Sequence, residues 1–233
     1  NVPVIILALT LGLFLVPNSR DKQKRPLDLI GSLLSIGALV SILYAIIEAP
    51  NVGWTSPETL GVAALGIVLT LAFIRWERST EYPMLPIDLF RNMGFTMGLV
   101  AISLAFFVMF SFMFTQMLHF QLVRGHTALQ AAIRFLPLPL GLMPAAANSD
   151  KFVAKFGSNN VVATGLTLIA AGMLLFITVE IDTDYVRIAV TFFMLGLGMG
   201  LTMAPSTTLV MESIPEDKAG VGSATNDASR EVG

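Results

Sequence analysis

The sequence contains no cysteine, which excludes disulfides, thiolate metal ligands and a cysteine nucleophile. Histidine is scarce too: only His119 and His126 could serve as imidazole ligands, so neither a structural metal nor any other cofactor is expected. Charge is the third shortage. Only 13% of the 233 residues are charged, against roughly 25% in an average soluble domain. The net charge of −2 says little about partners, because the charges are segregated by loop; no nucleic-acid partner is expected. Missing as well are a serine–histidine–acid set and a phosphate loop, so no enzyme is predicted. Gly196-x-Gly198-x-Gly200 inside an apolar run is no nucleotide fingerprint.

What is abundant is apolar. Hydrophobic residues make up 55% of the chain, and the mean hydropathy is +0.76. Seven apolar segments can be drawn, at about 2–16, 29–48, 59–76, 94–118, 128–147, 160–179 and 186–211, with an eighth beginning at 219. Runs of about 20 residues match the bilayer core. There each must be a helix, because no water is present to pair its backbone groups. A β-barrel would need strands of about ten alternating residues, and no such alternation occurs. The fold class is therefore all-α, a polytopic transmembrane helical bundle, with membrane lipid as its first partner. Asn1 opens directly into an apolar run, and Ser229-Arg230-Glu231-Val232-Gly233 stops inside the first turns of a helix, so both ends are expected to be cut. The opening run lacks the basic region and cleavage site of a signal peptide.

Orientation follows from lysine and arginine. Arg20, Lys22, Lys24 and Arg25 lie in loop 17–28, Arg75, Arg78 and Arg91 in 75–93, Lys151 and Lys155 in 148–159, and Lys218 in 212–218. These are alternate loops on one side. The opposite loops hold only Arg124 and Arg187, and one of them carries Glu180, Asp182 and Asp184. The basic side is expected to be cytoplasmic. Segments 29–48 and 59–76 form a hairpin with Trp54 at its outer turn, and the linker 77–93 contains Pro83 and Pro86.

Several stretches resemble a known family. Phe120-Gln121-Leu122-Val123-Arg124-Gly125-His126-Thr127-Ala128-Leu129-Gln130-Ala131 is similar to the end of the first helix of the C-terminal half in bacterial drug:proton antiporters, the fourteen-helix branch of the major facilitator superfamily. Ile133-Arg134-Phe135-Leu136-Pro137 resembles the Arg-Leu-Leu-Pro of the next helix. Ser149-Asp150-Lys151 with Ala154-Lys155-Phe156-Gly157 resembles the degenerate second copy of the superfamily's Asp-Arg…Arg-x-Gly loop, although Ser158-Asn159-Asn160 replaces the usual basic residues after the glycine. Gly196 through Ala204-Pro205, and Ala219-Gly220-Val221-Gly222-Ser223-Ala224-Thr225-Asn226-Asp227 with Arg230-Glu231-Val232-Gly233, resemble the late signature, the most specific part.

The resemblance implies a partial fold of that superfamily, about seven helices and the start of an eighth. Residues 1–16 would be the last helix of the N-terminal bundle, 17–28 a cytoplasmic loop, 29–76 the two-helix insert, 77–93 a cytoplasmic linker and 94–233 an incomplete C-terminal bundle. It further implies a bacterial cytoplasmic-membrane transporter that exports drug-like amphipathic or cationic compounds, coupled to protons by alternating access. Such a fragment would not transport without the N-terminal half of its chain. The alternatives are a lipid or metabolite exporter of the same fold, and a non-transporting membrane scaffold or sensor.

The candidate residues are those costly to place in a membrane. Arg134, about two turns into its helix, either pairs an acid in the missing half or reaches back to the outer interface. Asn226, Asp227, Arg230 and Glu231 follow Ala219 by 7–12 residues, roughly 10–18 Å along a helix. Asn226 and Arg230, and Asp227 and Arg230, share one face; they serve either substrate and proton or an ordinary helix mouth. Phe106, Phe107, Phe110, Phe112, Met113, Phe114, Gln116 and Met117 fall on one helix, as drug pocket or lipid face, and the amide of Gln116 wants a partner. Asp150, Lys151, Lys155 and Gly157 read as a conformational loop, or a plainly solvated one. Gly196, Gly200 and Ala204 form a small-residue stripe for close helix packing, and Pro205 permits a kink. The buried charges form no repeated ring of the kind a channel filter uses.

Overall fold

The computed structural model describes residues 2–15, 28–180, 183–215 and 218–233. Arg20, Lys22, Lys24, Arg25 and Asp182, which contribute to the charge asymmetry, lie outside the described residues. The described regular structure is all helical: α1 (Val2–Leu15), α2 (Leu29–Val52), α3 (Pro57–Ser79), α4 (Met93–Leu118), α5 (Ala128–Arg134), α6 (Pro137–Phe156), α7 (Ser158–Phe176), α8 (Tyr185–Glu212) and α9 (Ala219–Val232). A 3₁₀ turn at Ile87–Arg91 precedes α4, and a wider π turn at His119–Val123 follows it. Six stretches are long and apolar enough to cross a membrane: α2, α3, Met93–Val123, Ala128–Phe156, α7 and α8.

The chain divides into two compact units, Asn1–Met84 and Leu85–Gly233. In the first, α2 and α3 pack as a hairpin. α2 buries Gly31, Ala38, Ser41, Ala45 and Ala49, a small-residue stripe at helical spacing. α3 meets it at Gly66, where an added Cβ would stand 2.7 Å from Ile42 Cγ1. Apolar side chains gain nothing by leaving lipid for each other, so close backbone approach and hydrogen bonds hold such pairs. Asp28 begins α2 by accepting from Gly31 N at 2.8 Å. The same carboxylate accepts from Trp76 Nε1 at 2.9 Å, which ties that end of α2 to the end of α3. Gly53 turns the chain at φ +107°, a conformation that favours glycine. Ser56, its side chain accepting from Thr59 N, and Pro57 then start α3.

In the second unit α8 is the hub. Its buried residues include Ile188, Phe192, Leu195, Gly196, Gly198, Met199, Gly200, Pro205 and Val210. A Cβ on Gly200 would meet Leu142 O at 2.6 Å, so α6 lies directly against that edge, and Gly196 abuts Leu138 in the same way. Gly198 faces the other side, where its Cβ would stand 2.6 Å from Gly165 O of α7. On a third side a Cβ at Gly98 of α4 would lie 2.9 Å from Ser206 O. The apolar core between these helices contains Phe112, Phe120, Ile169, Phe192 and Met199. Phe112 stacks edge-on to Phe176 and Phe192 at 4.9 and 5.1 Å.

Two expectations are corrected. Segment 128–147 is two helices, broken at Phe135–Leu136. Pro137 explains the break, because it has no N–H to continue the ladder and suits a first helical turn. Residues 148–156 are not loop but the last turns of α6, and the chain turns only at Gly157, φ +80°. The helix persists through polar residues because Gly141, Ala145 and Ser149, spaced by four, keep a small buried face. The aromatic and methionine set does lie on one helix, α4, with Phe106, Phe112 and Gln116 buried and Phe107, Phe110, Met113 and Phe114 exposed.

Candidate functional site

α9 is the most amphipathic helix of the second unit, and its polar face lands on α4 and α8. Gly222 allows the approach: a Cβ there would collide with Ile214 Cδ1, in the turn joining α8 to α9. Ser103 of α4 donates to Ser229 O of α9 at 2.9 Å. Between these anchors Asn226 is 4% exposed, a buried amide that needs partners. Thr207 Oγ1 of α8 donates to Asn226 Oδ1 at 3.3 Å. The same hydroxyl accepts from Arg230 Nη2 at 3.5 Å. A threonine hydroxyl has one proton and two lone pairs, so Thr207 can hold the amide and the guanidinium together.

Arg230 is the pivot. Its guanidinium lies 5.8 Å from the Phe106 ring centroid, within cation–π range. Its Nη1 pairs with Asp227 Oδ1 at 3.7 Å, the two side chains being 35% and 66% exposed. A pair that open to its surroundings adds little stability in water. Arg230 Nε is buried without a hydrogen-bond partner among the described residues. Glu231 is exposed on the adjoining position. The structure thus brings together Asn226, Asp227 and Arg230, and adds Thr207, Ser103 and Phe106. Chemically the cluster offers a fixed cation, an exposed carboxylate beside it and an aromatic face.

The other candidates lie elsewhere. Gln116 is 1% exposed and its Nε2 finds no partner among the described residues. Arg134 makes local contacts: Nη1 donates to Gln130 O at 3.1 Å, and the guanidinium sits 5.8 Å from the Tyr185 ring. Tyr185 Oη donates to Arg134 O at 3.1 Å, joining α8 to the end of α5. Asp150, Lys151 and Lys155 are exposed on α6. Lys151 Nζ donates to Asn148 Oδ1 at 3.1 Å, and Lys155 Nζ lies 5.1 Å from the Phe156 ring. Gly196 and Gly200 sit at the α6 contact, Ala204 is half-buried and Pro205 is buried within α8.

At the opposite end of α4 the π turn wraps Arg124 back over His119. Arg124 Nε donates to His119 Nε2 at 3.2 Å, and Nη2 donates to Thr183 O at 2.8 Å. Because a guanidinium only donates, His119 Nε2 is the acceptor in this contact. His126 follows Gly125, φ +63°. Partial burial, then Arg134 and Arg124, hold His126 below the usual imidazole range. Thr127 and Gln130 close a capping box that begins α5.

Thr207 and Ser103 were not singled out from sequence. A hydroxyl in an apolar helix usually bonds its own carbonyl four residues back, as Thr208 does with Ala204 at 3.2 Å. Spacing alone does not tell the two cases apart.

A profile of the Major Facilitator Superfamily matches residues 1–233. The chain is 30% identical to the Multidrug resistance protein Stp of Mycobacterium tuberculosis, with all of this chain and 43% of that protein aligned. It is 32% identical to the Multidrug efflux pump LfrA of Mycolicibacterium smegmatis, over all of this chain and 46% of the pump. It is 28% identical to the Tetracenomycin C resistance and export protein of Streptomyces glaucescens, over all of this chain and 44% of that protein. The chain therefore spans less than half the length of these relatives.

Proposed function

The chain belongs to the major facilitator superfamily, and from that premise we propose that it works as part of a proton-coupled secondary transporter exporting drug-like amphipathic or cationic compounds. Its multiple membrane-spanning helices make it a multi-pass membrane protein. The membrane is the bacterial cytoplasmic membrane, with the basic loops inside. In this reading α1 closes the N-terminal bundle, α2–α3 are the insert and 94–233 belong to the C-terminal bundle. The rest of the transporter, small-molecule substrate and protons are its partners. Relatives named for multidrug resistance and efflux support the substrate class.

The observation that carries the reading is the Asn226–Thr207–Arg230 cluster with Asp227 at its edge. Charges inside a membrane bundle are expensive and mark substrate or ion paths. Movement of α9 against α8 during alternating access would lengthen the weak Thr207 contacts first, releasing Arg230 and with it Asp227.

The test is efflux of a cationic dye from cells expressing the complete transporter, with and without a protonophore. Efflux that stops with the protonophore, and that falls at least about tenfold in Arg230→Gln at equal membrane expression, is expected; a factor of ten corresponds to about 1.4 kcal/mol. Retention equal to empty-vector cells would overturn the proposal.

A further inference from the structure

The end of α3 carries a feature that drug export does not use. Leu71, Ile74, Arg75, Arg78 and Ser79 line a groove of about 350 Å³. Their spacing of three, one, three and one places them on a single helical stripe, roughly 12 Å from first to last at a 1.5 Å rise. The stripe is ordered by chemistry: two apolar side chains on the membrane side, two exposed guanidiniums next, and a hydroxyl at the helix end.

Two acids of this region, Glu77 and Asp28, lie toward α2. Glu77 is 3% exposed and its carboxylate lies toward Gly31 of α2. Asp28 is engaged by Trp76 Nε1 and Gly31 N. Trp76 is therefore held toward α2, directly beside Arg75 in sequence. The helix dipole accounts for a basic residue in a last turn. It does not account for a second guanidinium one turn earlier on the same stripe, nor for the groove they share. Ser79 Oγ spends its proton on Trp76 O at 2.9 Å, so toward a ligand it can only accept.

We propose that this stripe is a binding site for an acidic phospholipid of the bilayer. The phosphate bridges Arg75 and Arg78, whose planar forks suit phosphate oxygens better than lysine would. The acyl chain lies on Leu71 and Ile74, and Ser79 accepts from a headgroup hydroxyl. The ligand must carry both a phosphate and a chain, because the guanidiniums and the apolar pair occupy one continuous groove. Anionic lipid at the surface attracts basic residues next to a membrane span, and here the groove gives that attraction a fixed position. Bound lipid would anchor the α2–α3 hairpin at its basic end.

The complete protein with Trp76 as its one tryptophan is reconstituted with brominated phosphatidylglycerol or brominated phosphatidylcholine at equal mole fraction. Trp76 fluorescence should be quenched at least about twofold more strongly by the acidic lipid. Arg75→Gln with Arg78→Gln should abolish the excess, and Arg75→Lys with Arg78→Lys should keep part of it. Thermal unfolding of each variant establishes that it is folded, and a protein with Trp54 as the one tryptophan should show no lipid preference. Equal quenching by both lipids, an excess that survives the glutamine pair, or no quenching by either because protein covers the stripe would each overturn the proposal.

Discussion

Gly165 and Gly198 face each other main chain to main chain: a Cβ on Gly165 would stand 2.7 Å from Gly198 O, and one on Gly198 would stand 2.6 Å from Gly165 O. Backbone stands in the way on each side, so moving the neighbouring Thr202 or Ile169 side chain would not relieve it. Gly198→Ala should force α7 off α8 and cost about 1–3 kcal/mol, the usual penalty for overpacking a tight contact. The measurement is the Tm of the purified protein in detergent. Gly61→Ala is the comparison, because a Cβ there meets nothing within 4 Å. An equal Tm for the two variants would contradict the close α7–α8 packing.

Thr207 bonds both Asn226 and Arg230, so its hydroxyl and its methyl make separable predictions. Thr207→Val keeps the shape and removes the hydroxyl; it should lower dye efflux several-fold while membrane expression and Tm change by little. Thr207→Ser keeps the hydroxyl and should retain most of the efflux. Loss of one neutral hydrogen bond is worth about 1 kcal/mol, about a fivefold change. Equal efflux in the valine and serine variants would remove Thr207 from the site.

The turn around His126 should weaken in acid. Its imidazole is held below the usual value, about 6.5, by partial burial, Arg134 and Arg124. The unfolded chain therefore takes up the proton first as pH falls, and stability declines from about pH 6.5 down to the depressed folded value. Amide exchange across 119–127 should be faster at acid pH than at pH 7.5 after correction for intrinsic rates. His126→Gln should flatten that dependence. A dependence unchanged by the substitution would place the titration elsewhere, with His119 the next group to examine.

The capping box at α5 gives a stability prediction independent of transport. Gln130 N donates to Thr127 Oγ1 at 3.3 Å, and Thr127 N donates to Gln130 Oε1 at 3.1 Å. Thr127→Ala removes the first and should cost about 1 kcal/mol. Thr127→Ser should cost less than half as much. Both are read from Tm.

Hydropathy is legible over long distances, and it placed α2, α3, α4, α7 and α8 within a few residues. It failed where packing and not apolarity extends a helix. Asn148, Ser149, Asp150 and Lys151 read as loop, yet they are helical because Ser149 continues the small face of Gly141 and Ala145. It also merged α5 with α6, since Pro137 within an apolar run is compatible with either a kink or a break. The stripe of Gly196 and Gly200 was visible, but its complement Gly141 on α6 was not, nor was the Gly165 that meets Gly198, because the sequence does not say which helices meet. For the candidate site, Asn226, Asp227 and Arg230 stood out as polar groups in a membrane segment. Thr207 was hidden because threonine is common in such helices and normally bonds its own turn.

In the proposed coupling, substrate and protons move in opposite directions through one protein. The direct test is the complete transporter in proteoliposomes carrying an internal pH indicator, with an imposed pH gradient and the membrane potential clamped. Addition of a cationic drug should dissipate the gradient with saturable kinetics, and Arg230→Gln should lose this response while still folding. Drug movement at the same rate with and without the gradient, or no drug-induced proton flux in the unsubstituted protein, would contradict the claim.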